Sequence, residues 1–173
     1  MKYLSTRDDS IRLSGAQAIV KGLSADGGLF VPESFARLTL DDIGALVDMT
    51  YVERAARILG LFLDDFSADE LKKMASDAYD GKFEGGRPAP VKTLDARTHG
   101  PTCAFKDMAL QLLPRLMVAS KRKLGDDRRV CILAATSGDT GKAALEGFRD
   151  VEGTQCVVFY PHDGVSPTQR LQM

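Results

Sequence analysis

Two uninterrupted apolar runs constrain the fold of this chain more than any other feature. They occupy residues 130–135 and 156–160, and a helical pattern over residues 140–148 separates them. Neither run shows the polar alternation of a half-exposed strand, which is typical of parallel strands covered on both faces of a sheet. The sequence therefore predicts an α/β fold for this half of the chain.

The segment before these runs is built differently. Apolar residues at helical spacing predict a helix over residues 14–23 and one or two amphipathic helices over residues 41–63, with a short strand at residues 29–31 between them. Ser67 and Glu70 form a capping-box pattern, which predicts a helix from there to about Tyr79. We therefore expect a mostly helical amino-terminal domain.

Two glycines and two prolines between Gly85 and Pro90 interrupt all periodicity, so we set a domain boundary there. The boundary gives an amino-terminal domain over residues 1–84 and an α/β domain over residues 85–173. The second domain opens with a short apolar stretch at residues 91–94, followed by an amphipathic pattern over residues 107–124. Pro114 interrupts that pattern and predicts a kink or a helix restart.

Composition excludes several classes of protein. The 23 basic and 24 acidic side chains give a net charge of −1, so nucleic acid and anionic membranes are not expected partners. No signal peptide or transmembrane run is visible, and three widely spaced cysteines indicate a reducing compartment, hence the cytoplasm. Two distant histidines leave a metal site of the His/Cys kind without ligands.

A turn containing Gly100 and Pro101 leads to Lys106, which follows Ala104 and Phe105 and precedes Asp107. An apolar pocket disfavours the charged form of a lysine, and the free amine can form a Schiff base with an aldehyde. Asp107 is expected to cap the following helix. The alternative is an exposed Lys106 at the helix start, paired with Asp107.

Small and polar residues fill the turn from the first apolar run into the next helix, residues 134–142. Such a turn lets backbone amides approach a ligand, and a helix amino terminus favours anionic groups. The turn differs from a nucleotide-binding P-loop because Thr136 and Ala143 replace the required glycine and hydroxyl residue. A plain helix cap by Ser137 or Asp139 is the alternative.

A third polar stretch, residues 161–169, follows the second apolar run and opens a helix in which Ser166 is expected at the N-cap and Pro167 at the first position. Ligands of open parallel sheets bind at the carboxyl ends of the strands. The loops after Ala135 and Tyr160 are therefore expected to face one site. The chain stops about two turns later, at Met173, and too few strands precede it to complete a sheet buried on both faces. We expect it to be the front part of a longer protein.

Three motifs carry a family resemblance. They are His-Gly-Pro-Thr-x-Ala-Phe-Lys-Asp at residues 99–107, Ala-Thr-Ser-Gly-Asp-Thr-Gly at residues 135–141 and Val-Ser-Pro-x-Gln at residues 165–169. In this order they resemble the threonine synthase family, pyridoxal-phosphate (PLP) enzymes of fold type II, the group of the tryptophan synthase β chain. Residues 3–7 and 22–32 are similar to the start of the same family.

The resemblance implies an activity and a cofactor. The family converts O-phospho-L-homoserine and water into L-threonine and phosphate, the last step of threonine biosynthesis, with PLP as electron sink. Lys106 would carry PLP as a Schiff base and move protons at the substrate α- and β-carbons. The other implied contacts are Phe105 and Asp139 to the cofactor, and Ser137, Gly138, Thr140, Ser166 and Gln169 to the substrate.

The family's phosphate-binding loop and the residue facing the pyridine nitrogen are implied to lie beyond Met173. We therefore expect this chain alone to bind PLP weakly if at all, to be inactive, and to self-associate through the exposed edge of its sheet. Two alternatives stay open. One is a threonine-synthase-like phospho-lyase that releases a keto acid, and the other is a non-catalytic structural fragment.

Overall fold

The computed structural model describes residues 1–82 and 100–173, which divide into two compact units. Unit 1 comprises Met1–Ser76 and Ala119–Asp126, and unit 2 comprises Asp77–Val118 and Asp127–Met173. The domain boundary predicted near Gly85, the apolar stretch at residues 91–94 and His99 lie outside the described residues. The boundary therefore stays a prediction.

Unit 1 contains a small antiparallel sheet. Its strands β1 (Tyr3–Ser5), β2 (Arg12–Leu13) and β3 (Phe30–Pro32) are arranged in the order β2-β1-β3. The short strand predicted at residues 29–31 is β3, displaced by one residue. The sequence analysis missed β1 and β2, because segments of three and two residues are too short to show a period.

The helical part of unit 1 agrees with the sequence. The helices are α1 (Gly15–Lys21), α2 (Leu40–Ala45), α3 (Tyr51–Gly60) and α4 (Ala68–Tyr79), of which the last three residues fall in unit 2. Residues 41–63 thus form two helices. The capping box before α4 is confirmed: the Glu70 amide donates to Ser67 Oγ (3.2 Å), and the Ser67 amide donates to Glu70 Oε2 (2.7 Å).

The core of unit 1 lies under α4 and the turn before it. Its buried apolar side chains include Leu63, Phe66, Leu71, Met74 and Ala75, and α1 adds Ala16 and Ala18 to the buried residues of the unit. Lys123 is the last residue of the helix over Leu113–Lys123. Its Nζ lies 4.9 Å from the centroid of the Phe66 ring and 2.9 Å from Glu70 Oε1. The basic end of that helix is thus fixed to the α4 region.

After the end of α4, the next described helix of unit 2 begins directly after Lys106. Helix α5 (Asp107–Leu110) is followed by α6 (Leu113–Lys123), whose second residue is Pro114. Proline is tolerated in the first turn of a helix because the amides there have no intrahelical acceptor. The predicted helix restart at Pro114 is confirmed.

The α/β part of unit 2 alternates strands and helices: β4 (Val130–Ala135), α7 (Asp139–Phe148), β5 (Thr154–Phe159) and α8 (Pro167–Leu171). The two strands pair in parallel, with Val130 opposite Thr154 and Ala135 opposite Phe159. The prediction of parallel strands separated by a helix is confirmed. Both strands end at the same edge, where the loops to α7 and α8 begin.

Among the described residues, this two-stranded sheet is covered on one face only, as its small number of strands predicts. Burial alternates along both strands, and Leu133 and Phe159 on the outer face are 70% and 61% exposed. Helix α7 covers the inner face, where Val158 approaches Gly141. An apolar outer face gives a strand the same continuous composition whether or not another element covers it.

Within residues 1–82 and 100–173, no helix has the length and apolar character that a membrane crossing requires.

Candidate active site

The turn that presents Lys106 is fixed by a buried carboxylate. Asp107 is 0% exposed, and it accepts hydrogen bonds from the Thr102 amide (2.9 Å) and the Thr102 hydroxyl (2.7 Å). Gly100 lies so close that an added Cβ would be 2.5 Å from Asp107 Oδ2. Glycine is therefore required at position 100 for the chain to pass this carboxylate.

The predicted role of Asp107 as a helix cap is wrong. Asp107 is the first residue of α5, the N-cap position belongs to Lys106, and no side chain caps this end. The carboxylate instead accepts from Thr102, five residues earlier, because the turn folds back on itself. Cys103 makes that turn at φ 55°, in the left-handed region that few non-glycine residues adopt.

Of the two surroundings that the sequence allows for Lys106, an apolar pocket or an exposed position beside Asp107, the structure shows neither in full. The Lys106 side chain is half-buried, with Nζ 4.2 Å from the centroid of the Phe105 ring, and that ring is itself 67% exposed. The alternative ion pair with Asp107 is not among the contacts in the described part of the chain. The distance from Nζ to the ring centroid is that of a cation–π contact.

The loop between β4 and α7 is held by backbone hydrogen bonds to Thr136. Its hydroxyl oxygen accepts from the amides of Gly138 (3.2 Å) and Gly141 (3.3 Å). Gly138 occupies the N-cap position at φ 153°, a conformation that favours glycine, and the N-cap residue itself makes no side-chain bond to α7. The predicted alternative, a cap by Ser137 or Asp139, is therefore wrong. The side chains of Ser137 and Thr140 are exposed.

Asp139 receives two donors on one oxygen. Its Oδ1 accepts from Gln169 Nε2 at 3.1 Å and lies 3.2 Å from Lys142 Nζ. The hydrogen bond from Gln169, followed by that from Lys142, lowers the pKa of Asp139 below its usual range, and the charges of Lys142 and Lys106 lower it further. Asp139 is therefore a carboxylate at neutral pH.

The loops after the two strands meet, as the sequence predicts. Gln169 of α8 bonds Asp139 of α7, and its side chain lies against Gly138, where a Cβ would clash. Ser166 and Gln169 also form the predicted α8 cap: the Gln169 amide donates to Ser166 Oγ (3.2 Å), and the Ser166 amide donates to Gln169 Oε1 (3.1 Å). The polar atoms of Ser166 and Gln169 are thus engaged within the protein.

Sequence reasoning missed three residues that shape this region: Thr102, Thr136 and Lys142. Lys142 is 6% exposed and also donates to Gln172 Oε1 at 2.9 Å. Its position three residues after Asp139 is a recognisable ion-pair spacing on a helix. The bonds from Thr102 and Thr136 depend on turn geometry, which spacing does not reveal. Among the described residues, no cluster of His, Cys, Asp and Glu could hold a metal ion.

Lys106 and Asp139 interact electrostatically at the end of the sheet where strands β4 and β5 stop. This is the ligand-binding position of open α/β proteins. Residues 2–79 match the family model described as threonine synthase N terminus.

Known proteins resemble the chain over its whole length. It is 42% identical to a threonine synthase from Pseudomonas aeruginosa and 38% identical to one from Schizosaccharomyces pombe, spanning 38% and 36% of their lengths. It is also similar to a crystal structure of PLP-bound threonine synthase from Brucella melitensis, with 39% identity, a TM-score of 0.89, and coverage of 100% of this chain and 38% of that one. A yeast threonine synthase structure gives 30% identity and a TM-score of 0.87, over 99% of this chain and 38% of that one. The chain belongs to the threonine synthase family, and it spans less than half the length of these relatives.

Proposed function

We propose that this chain supplies the reactive lysine of a PLP-dependent threonine synthase, which converts O-phospho-L-homoserine and water into L-threonine and phosphate. The observation that carries the proposal is the half-buried Lys106 amine that interacts electrostatically with Asp139, in a chain of this family. The small-molecule substrate, a fold of type II and a cytoplasmic location belong to the same proposal.

The residues present fit the lysine-bearing side of a PLP site. Lys106 offers a half-buried amine over the Phe105 ring, and the neighbouring loop offers the exposed side chains of Ser137 and Thr140. When bound, PLP supplies an electron sink for carbanion chemistry. Lys106 would hold the cofactor covalently, and its nitrogen would carry protons to and from the substrate α- and β-carbons. Phe105 and Asp139 would orient the cofactor.

The loop after β4 is suited to an anionic part of the substrate. The first amides of α7 have no intrahelical acceptor, and the exposed Ser137 and Thr140 hydroxyls lie beside them. We assign a substrate carboxylate to Ser137, Gly138 and Thr140. Ser166 and Gln169, the other proposed substrate contacts, would act at the border of the site, because their polar atoms already cap α8 and support Asp139.

A chimera tests the proposed function. This chain replaces the corresponding 38% of the Pseudomonas aeruginosa threonine synthase, and threonine formation from O-phospho-L-homoserine is measured with and without Lys106→Ala. We expect threonine from the chimera and none from the Lys106→Ala variant. A chimera that folds, binds PLP and retains threonine formation after Lys106→Ala would overturn the assignment.

Relatives named threonine synthase-like 1 favour a second candidate. The human protein of that name is 38% identical over 91% of this chain. The second candidate that we propose is a threonine-synthase-like phospho-lyase, which would use the same Lys106 but release a keto acid. The chimera cannot settle the point, because most of its site comes from the relative, so product analysis needs the gene's own full coding sequence. Threonine supports the first proposal, and a keto acid supports the second.

A further inference from the structure

Lys142 is the most deeply buried cation near the proposed site, among the residues that the structure describes. It lies in the first turn of α7, is 6% exposed, and has two acceptors, Asp139 Oδ1 at 3.2 Å and Gln172 Oε1 at 2.9 Å. Burying an ammonium group is costly unless its hydrogens are bonded and its charge is paired. Asp139 supplies the pairing charge.

The two groups that bond Asp139 converge on a single oxygen. Gln169 Nε2 and Lys142 Nζ both contact Oδ1, whereas Oδ2 makes no hydrogen bond to any described residue. The Asp139 side chain is 46% exposed, so Oδ2 is available to a ligand. Two donors on one side of a carboxylate fix its rotation and leave its other oxygen facing outward.

We propose that Lys142 is a positioning residue: with Gln169 it holds Asp139 by Oδ1, so that Oδ2 is the acceptor offered to the ligand bound at Lys106. The proposal rests on the proposed function for the identity of that ligand. It gives Lys142 no contact with substrate or cofactor. Lys142 acts through Asp139 alone.

The charge of Asp139 determines which kind of ligand atom can bind Oδ2. The charged groups facing Asp139 are Lys142, on its own helix, and Lys106, ahead of α5, while α8 contributes the neutral amide of Gln169. These groups favour the ionised carboxylate, which accepts hydrogen bonds and cannot donate them. The ligand atom that meets Oδ2 must therefore carry a hydrogen, as a hydroxyl or an N–H group does.

The test measures the titration of the Asp139 side-chain carboxyl by NMR in the ligand-free 173-residue chain. Lys142→Met removes the charge and both bonds, so the Asp139 midpoint should move upward, whereas Lys142→Arg should keep it low. An unchanged midpoint in Lys142→Met would overturn the proposal. If Lys142→Met does not fold, Lys142→Gln keeps a polar donor without the charge, and the same upward shift is required of it.

Lys123→Met is the matched control. Lys123 pairs with Glu70 at 2.9 Å, and it is the second of the groups that lower the pKa of Glu70, after the Ser67 amide. Its loss should raise the Glu70 midpoint and leave that of Asp139 unchanged. A movement of Asp139 in this control would show that any lysine loss shifts it, and the proposal would be wrong.

A second readout separates this proposal from the proposed function. Each variant is introduced into the chimera, incubated with PLP and reduced with borohydride, and the adduct at Lys106 is quantified by peptide mapping. The Lys106 adduct should be smaller in Lys142→Met than in Lys142→Arg. Equal adducts despite a shifted Asp139 would overturn the link to the ligand. If neither the chain nor the chimera forms an adduct at Lys106, the proposed function fails, while the titration still decides whether Lys142 controls Asp139.

Discussion

At the scale of single residues, the reactive turn depends on a polar contact that is buried and local. Asp107 is adjacent to Lys106 in sequence, yet its carboxylate is bonded to Thr102 rather than to the lysine. Lys106 is thereby left without a carboxylate partner in the turn. The sequence singles out the lysine by its motif, and its role stays a prediction. The sequence could not show which donor the aspartate would find, because that choice depends on the path of residues 100–106.

Thr102→Val tests the importance of this contact. The change removes the hydroxyl that donates to Asp107 Oδ1 at 2.7 Å, and it leaves a buried carboxylate with one donor fewer. The free energy of unfolding should fall by about 1–3 kcal/mol, measured by urea denaturation. Thr140→Val is the control, because the Thr140 side chain is exposed, and it should change stability by less than about 0.5 kcal/mol. Equal losses in the two variants would contradict the account.

At the scale of helices and strands, local chemistry determined what could be predicted. The Ser67 and Glu70 pair and Pro114 both act within a few residues, and both predictions are confirmed. The capping box at Thr50 and Glu53 has the same chemistry but lies inside a long apolar pattern, where it was missed. The exposed outer face of β4 agrees with the expectation that so few strands cannot be buried on both faces, but which of the two faces α7 covers depends on tertiary packing.

Gly138→Ala should weaken the start of α7. Its φ of 153° is strained for any other residue, and an added Cβ would meet the Gln169 side chain. We expect a loss of about 1–3 kcal/mol in the free energy of unfolding. Gly44→Ala is the matched control: Gly44 lies within α2, with open space around it, so alanine there should stabilise by about 0.5–1 kcal/mol. Changes of the same sign in chemical denaturation would contradict this expectation.

The cap of α3 predicts a pH dependence of stability. The amide and hydroxyl of Thr50, followed by Lys72, lower the pKa of Glu53 from 4.5 to about 2. Because the folded value lies below the unfolded one, the stabilisation is complete above pH 4.5 and is lost as pH falls toward 2. Glu53→Gln should therefore flatten the fall of the urea midpoint across this window. A slope in Glu53→Gln identical to that of the unchanged chain would contradict the assignment.

At the scale of the whole molecule, one face of the parallel sheet is apolar and exposed to solvent. The outer face of the β4–β5 pair presents Leu133, Val157 and Phe159 to solvent. The continuous apolar composition of these strands predicted their parallel pairing, and the pairing is confirmed. What composition could not predict is which face has a covering element. The relatives that the chain matches are more than twice its length.

This outer face should drive self-association. Sedimentation velocity over a concentration series should show oligomers that Leu133→Lys reduces, because a charge in the middle of the face opposes apolar contact. Leu171→Lys is the control, because Leu171 is 88% exposed on α8 and lies outside the sheet. If both lysine variants associate as the unchanged chain does, this face is not the contact surface.

The proposed function depends most on the identity of the reactive lysine. The measurement that tests it most directly is borohydride reduction of the PLP-loaded chimera, followed by mass mapping of its peptides. We predict a single reduced adduct at Lys106. In Lys106→Arg, both this adduct and threonine formation should be lost. An adduct at Lys142 or another lysine, or none at Lys106 in a chimera that forms threonine, would contradict the account.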